Sequence, residues 1–141
     1  MKNVQQHILD ELTAILQTVP DFGALVFEDS VMRVIDADDE SLPDCFIVIQ
    51  PGVTDEVERV GKNSLRERTT FNVTLVTRTY AFAPLLRAAR LTVKSKLAGR
   101  TAGLTGVQSA QFLSDTPMPP APGQVLAAHV LPLQVTYVQN Y

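Results

Sequence analysis

The period of apolar and polar positions changes several times along this chain, and each change marks an element. Between residues 42 and 52 the run Leu42-Pro43-Asp44-Cys45-Phe46-Ile47-Val48-Ile49-Gln50-Pro51-Gly52 holds five consecutive apolar residues fenced by prolines and a glycine. A strand without polar alternation has no wet face, so residues 45–49 are predicted to form an interior strand covered on both sides. Strand side chains alternate, which sends Phe46 and Val48 to one face and Cys45, Ile47 and Ile49 to the other. Helices are expected on the first face, and a loop or a partner surface on the second.

Residues 3–19 carry Val4, Ile8, Leu12, Ile15 and Val19 at helical steps, widened by Leu9 and Leu16, which predicts an amphipathic helix with Asn3 as N-cap and Pro20 as its stop. A turn at residues 21–23 and a short strand at 24–27 follow. Residues 31–35 fit either a hairpin partner or a single helical turn. Residues 36–44 read as an acidic loop, and 51–67 as a long polar connection, either a hairpin arm or a flexible loop. In residues 68–80, Phe71, Val73 and Leu75 alternate with Asn72 and Thr74, the pattern of a half-buried strand. A second helix is predicted over 81–100, with Phe82, Leu86, Ala89, Val93 and Leu97 on its apolar stripe and Pro84 in its first turn. A weaker strand at 104–113 and a closing strand at 126–138 complete the pattern. Pro117, Pro119, Pro120 and Pro122 make 116–123 an extended loop not expected to pair, and Pro132 suggests that the closing strand lies at an edge or carries a bulge.

The predicted fold class is therefore α+β, in two layers: one mixed, mainly antiparallel sheet of four to five strands with two helices on one face. At 141 residues the chain suits one domain, residues 1–141. No apolar run approaches the length of a membrane span, so no membrane partner is expected and the chain is expected in the cytoplasm where it is made. The single cysteine, Cys45, excludes an internal disulfide and is expected to serve packing.

Reaction chemistry is not expected. Asp36-x-Asp38-x-Glu40 imitates the start of a calcium loop, but Ser41 stands where the sharp-turn glycine belongs and Ile47 where the bidentate glutamate belongs. Gly61-Lys62-Asn63-Ser64 fails as a phosphate loop, because Glu56 occupies the first glycine position and Asn63 follows the lysine. His7 and His129 have no second ligand at metal spacing and are read as surface or boundary residues. No metal, cofactor or catalytic residue is predicted.

Charge is uneven along the chain although the net charge is only −3. Residues 28–58 hold Glu28, Asp29, Asp36, Asp38, Asp39, Glu40, Asp44, Asp55, Glu56 and Glu58 against Arg33 alone, with Arg59 just beyond. Residues 62–100 hold Lys62, Arg66, Arg68, Arg78, Arg87, Arg90, Lys94, Lys96 and Arg100 against Glu67. After Arg100 the one charged residue is Asp115. The blocks either neutralise each other within one fold or meet between subunits.

The element order, the Leu42-Pro43-x-x-Phe46-Ile47-Val48 strand, the long following connection and the terminal Val135-Thr136-Tyr137 resemble the tail terminator proteins of long-tailed bacteriophages, the lambda minor tail protein U type. The resemblance covers nearly the whole chain except the proline loop at 116–123. It implies a structural virion protein at the head-proximal end of the tail, assembled in the host cytoplasm. Such a protein forms a homo-oligomeric ring, hexameric in that family, which caps the tail tube protein and offers a surface to a head completion or connector protein. DNA would pass through the lumen without specific binding. A ring needs two different patches, and the charge blocks suggest them: Asp36, Asp38, Asp39 and Glu40 against Arg87, Arg90 and Lys94 of the next subunit. The connection at 51–67, with Thr54, Asp55, Glu56, Glu58, Arg59, Lys62 and Asn63, is expected to be mobile alone and to order against a neighbour or the tube. The alternatives are a head–tail connector or tail completion protein and, in another class, a small α/β enzyme or ligand-binding domain.

Overall fold

The apolar run at residues 45–49 is flanked in the sheet on both sides. The computed structural model describes residues 2–141 and has the order α1 (Val4–Leu16), a 3-10 turn (Phe22–Ala24), β1 (Val26–Glu28), α2 (Val31–Ala37), β2 (Cys45–Gly61), β3 (Ser64–Thr77), α3 (Phe82–Lys96), β4 (Val107–Phe112), β5 (Thr116–Met118) and β6 (Ala127–Asn140). One six-stranded sheet runs β1-β2-β3-β6-β4, with β5 also paired to β6. The β1–β2 pair is parallel and all others are antiparallel. The fold class is thus α+β, with one more strand and one more helix than the sequence pattern predicts.

Asn3 caps α1 as expected, its side chain accepting from the Gln6 amide at 3.1 Å. Ile8, Leu12 and Leu16 of α1 and Leu86, Ala89 and Val93 of α3 pack side by side over Ile47, Ile49, Val73, Leu75, Leu131, Leu133, Val135 and Tyr137. Each of these larger side chains removed from water stabilises the fold by about 1.5–3 kcal/mol. Past α1 the chain doubles back so closely at Gly23 that a Cβ there would lie 2.5 Å from the Gln17 carbonyl oxygen, and only glycine fits.

Both long helices share one face, as expected, but it is the Ile47/Ile49 face and not the Phe46/Val48 face. The region at 31–35, left open between strand and helical turn, is a two-turn helix whose Val31, Val34 and Ile35 cover Phe46, Val48 and Val76 on the second face. Topology explains the split. The β1–α2–β2 and β3–α3–β4 crossovers step the same way across the sheet from strands that run in opposite directions, so two crossovers of one hand place their helices on opposite faces.

Residues 51–61 continue β2 and pair with β3, the hairpin alternative for this stretch and not the flexible loop. Two further expectations are corrected. Thr116–Met118 pairs with β6 even though it contains Pro117; at this short outer strand a proline forfeits little ladder. Pro132 lies inside an unbroken β3–β6 register, at neither an edge nor a bulge. Its carbonyl accepts from the Leu113 amide at 2.9 Å on the side away from β3. A residue's N–H and C=O share one side of a strand, so the missing N–H points into the gap between β4 and β5, where no ladder bond is lost.

Candidate assembly surface

Two surface features bear on assembly: the distal β2–β3 hairpin, or arm, and a groove beside α3. The arm is closed at Lys62 and Asn63; its β3 strand is paired with β6 as far as Ser64 opposite Asn140, so the arm lies within the sheet and its open side is the β2 edge. Every residue from 51 to 63 is exposed, so the β2 half is wet on both faces and main-chain pairing holds it in shape, whereas Leu65 and Thr69 of the β3 half are buried. Its ladder shifts register between Pro51 and Thr54, between Glu56 and Glu58, and between Arg59 and Gly61. Each shift leaves a valine, Val53, Val57 or Val60, as an extra residue, and all three are exposed, Val53 by 74%. Bulges with charged neighbours keep an open strand edge from pairing with other chains.

The predicted contact residues of the arm are held locally. Thr54 Oγ1 accepts from Gln5 Nε2 at 2.9 Å and lies 2.7 Å from Thr69 Oγ1. Glu58 pairs with Arg66, and Arg59 donates to the Lys62 carbonyl at 3.4 Å. The Tyr141 amide donates to the Asn63 carbonyl at 2.7 Å, tying the turn to the C-terminal residue. Asp55 stands opposite Arg68, whereas Glu56 stands directly opposite Glu67. Like charges at paired positions destabilise an antiparallel ladder.

The groove, about 490 Å³, runs between α3 and β5, with Phe82, Ala83, Leu86, Pro117, Met118 and Pro119 as apolar walls and Arg87, Arg90 and His129 at its polar side. A second hollow of about 480 Å³ adjoins it at Phe82 and exposes Tyr80 and Val125. The polar side is organised by Asp115. Its carboxylate accepts from Arg90, from Lys94 at 3.4 Å and contacts His129 Nε2 at 2.7 Å. The Arg90 guanidinium first, with help from His129 and Lys94, holds the Asp115 carboxyl well below the usual carboxylate range against the opposing effect of burial. Lys94 also lies over the Phe112 ring at 5.4 Å.

The predicted interface residues divide. Arg90 and Lys94 come together on Asp115, whereas Arg87 is exposed with no acidic partner among the described residues. Asp38 binds Arg78 at 2.7 Å, and the same guanidinium reaches the Asp39 carbonyl at 3.1 Å. Asp39 accepts from the amide and hydroxyl of Ser41, which lower its pKa. Asp36 accepts weakly from Gln124 at 3.4 Å, and Glu40 is exposed. Within one chain no ion pair among the described residues joins the acidic stretch to α3. Part of the charge asymmetry is therefore neutralised inside the fold, and of the three predicted interface cations on α3 Arg87 is left without an acidic partner among the described residues.

Sequence reasoning missed the Asp115–His129 contact. The isolation of Asp115 in an otherwise uncharged C-terminal third was the available signal; pairing with His129 appears only once β5 lies along β6. The contact resembles the orienting half of a catalytic triad, but the groove lining has no hydroxyl or thiol nucleophile beside the imidazole. Among the described residues, no group of three or more His, Cys, Asp or Glu could hold a metal ion, and no helix is long and apolar enough to cross a membrane.

No protein-family model and no curated protein matches this chain. Among solved structures, its fold is similar to that of a chain in the "Virion of native gene transfer agent (GTA) particle", with a TM-score of 0.58 at 17% identity. The match covers 96% of this chain and 92% of that chain. At that identity the likeness is one of fold, and it runs end to end in both proteins.

Proposed function

We propose that this chain is a structural virion protein, not an enzyme, and that it works as a phage-type tail terminator. In this reading several copies close into a ring, hexameric in the family it resembles. The ring caps the completed tail tube, ends tube polymerisation and presents the surface to which a head completion or connector protein joins. The observation that carries the reading is the end-to-end fold match to a chain of a gene transfer agent virion. The exposed β2 edge of the arm supports it, because a subunit that must touch neighbours or a tube needs surface beyond its own core.

Capping is the direct test. Added to polymerising tail tubes, the purified protein should halt elongation and leave an extra disc of density at one tube end in negative-stain images. Tubes that lengthen unchanged with bare ends would overturn the terminator role. Binding to a portal or connector ring with no effect on tubes would assign the protein to the head side of the joint.

A further inference from the structure

The arm and the groove lie at opposite ends of β6. Ala128 and His129 of β6 line the groove, whereas Val138 and Asn140 pair with Arg66 and Ser64 next to the closed tip of the arm. At about 3.3 Å per residue, Ala128 and Val138 are roughly 33 Å apart. A chain therefore cannot place its own arm in its own groove, but a second copy can.

We propose that the β2–β3 arm of one copy docks in the α3–β5 groove of the next, an inference that rests on the ring reading and names its interface. Apolar matter is available on both sides: Val53, Val57 and Val60 are exposed on the arm, and Phe82, Leu86 and Met118 wall the groove. The arm is balanced in charge overall, Asp55, Glu56, Glu58 and Glu67 against Arg59, Lys62, Arg66 and Arg68, but at one position it complements the groove. The arm carries Glu56 directly opposite Glu67, a like-charge pair that an incoming cation would relieve. The groove carries Arg87, exposed and without an acidic partner among the described residues. Placing Arg87 of one copy against Glu56 and Glu67 of another satisfies both surfaces. The contact joins two different patches, so it repeats head to tail and closes into a ring when the rotation allows. Buried valines supply affinity, and the charges set register and orientation.

Disulfide trapping tests this in the full chain. In a Cys45→Ser background, Val57→Cys and Ala83→Cys together should give a ladder of covalent oligomers on mild oxidation, and the two single variants mixed should stop at dimers. Arg87→Glu should raise the concentration needed for half-assembly by about tenfold or more, the scale of a like-charge contact in an interface, and adding Glu56→Arg should recover part of the loss. Circular dichroism and melting curves should match the parent for every variant. Oligomers that assemble without the Val57–Ala83 cross-link would overturn the inference while leaving the ring standing, and would put another segment or another virion protein in the groove. A ladder from open filaments would support the interface and contradict the ring. A protein that stays monomeric and gives no cross-link would overturn both.

Discussion

At the scale of single residues, the core and the Asp115 cluster make opposite demands. Leu12 is fully buried on α1 among the sheet's apolar side chains, so Leu12→Asp places an unpaired charge where nothing can solvate it. We expect a loss of about 3 kcal/mol or more, enough to unfold a marginal domain; a soluble variant melting like the parent would contradict the placement of the α1 stripe. Asp115→Asn leaves Arg90, Lys94 and His129 without their shared carboxylate. Denaturant unfolding should show a loss of about 1–3 kcal/mol. The same carboxyl has a folded pKa below its unfolded value, with Arg90 the largest cause. Its contribution is therefore fully present at neutral pH and above the ordinary value of about 3.9, and is lost as acid protonates it below that. A pH series should show stability falling on the acid side in the parent and a flatter acid limb in Asp115→Asn. The burial of Leu12 was legible in the helical stripe; the Asp115 cluster was not, beyond the isolation of Asp115, because its partners come from α3 and β6 and meet only in the folded sheet.

Among elements, legibility follows burial. The two long helices and the strands around Val73 and Leu133 were readable because each has a buried face that writes a period into the residues, and the strand around Phe46 because burial on both faces makes it an unbroken apolar run. The α2 helix did leave a trace, Val31, Val34 and Ile35 at helical steps behind Ser30, whose side chain accepts from the Arg33 amide at 3.4 Å. Two turns are too short for that trace to exclude a strand. The arm left none: with both faces wet, residues 51–61 have no apolar alternation, and their strand character comes from pairing with β3, not from local pattern. Its backbone is paired with β3 up to the turn. An arm held by main-chain bonds should tolerate surface change. We expect Val53→Ser, Val57→Ser and Val60→Ser combined to shift stability by no more than about 0.5 kcal/mol per site while lowering assembly. A large drop in melting temperature would mean that these valines support the fold itself.

For the whole molecule, the decisive geometry is the separation of arm from groove along β6. A subunit with complementary patches at opposite ends associates head to tail, and closure is what separates a ring from a filament. Part of the charge pattern that first suggested assembly is spent inside the chain, on the Asp38–Arg78 and Asp115–Arg90 pairs. The groups the proposed interface draws on are Arg87, the opposed Glu56 and Glu67, and the arm's exposed valines. Exposed ion pairs contribute only about 0.2–1 kcal/mol each, so salt should slow assembly without dissolving the product once the apolar contacts have formed. Native mass measurement combined with negative-stain imaging of the full chain, over a range of concentration, tests the central claim most directly. The account predicts one closed species, six copies of the 15.4 kDa subunit, seen as rings with a central hole. A monomer at every concentration, or a two-fold dimer with no hole, would contradict it.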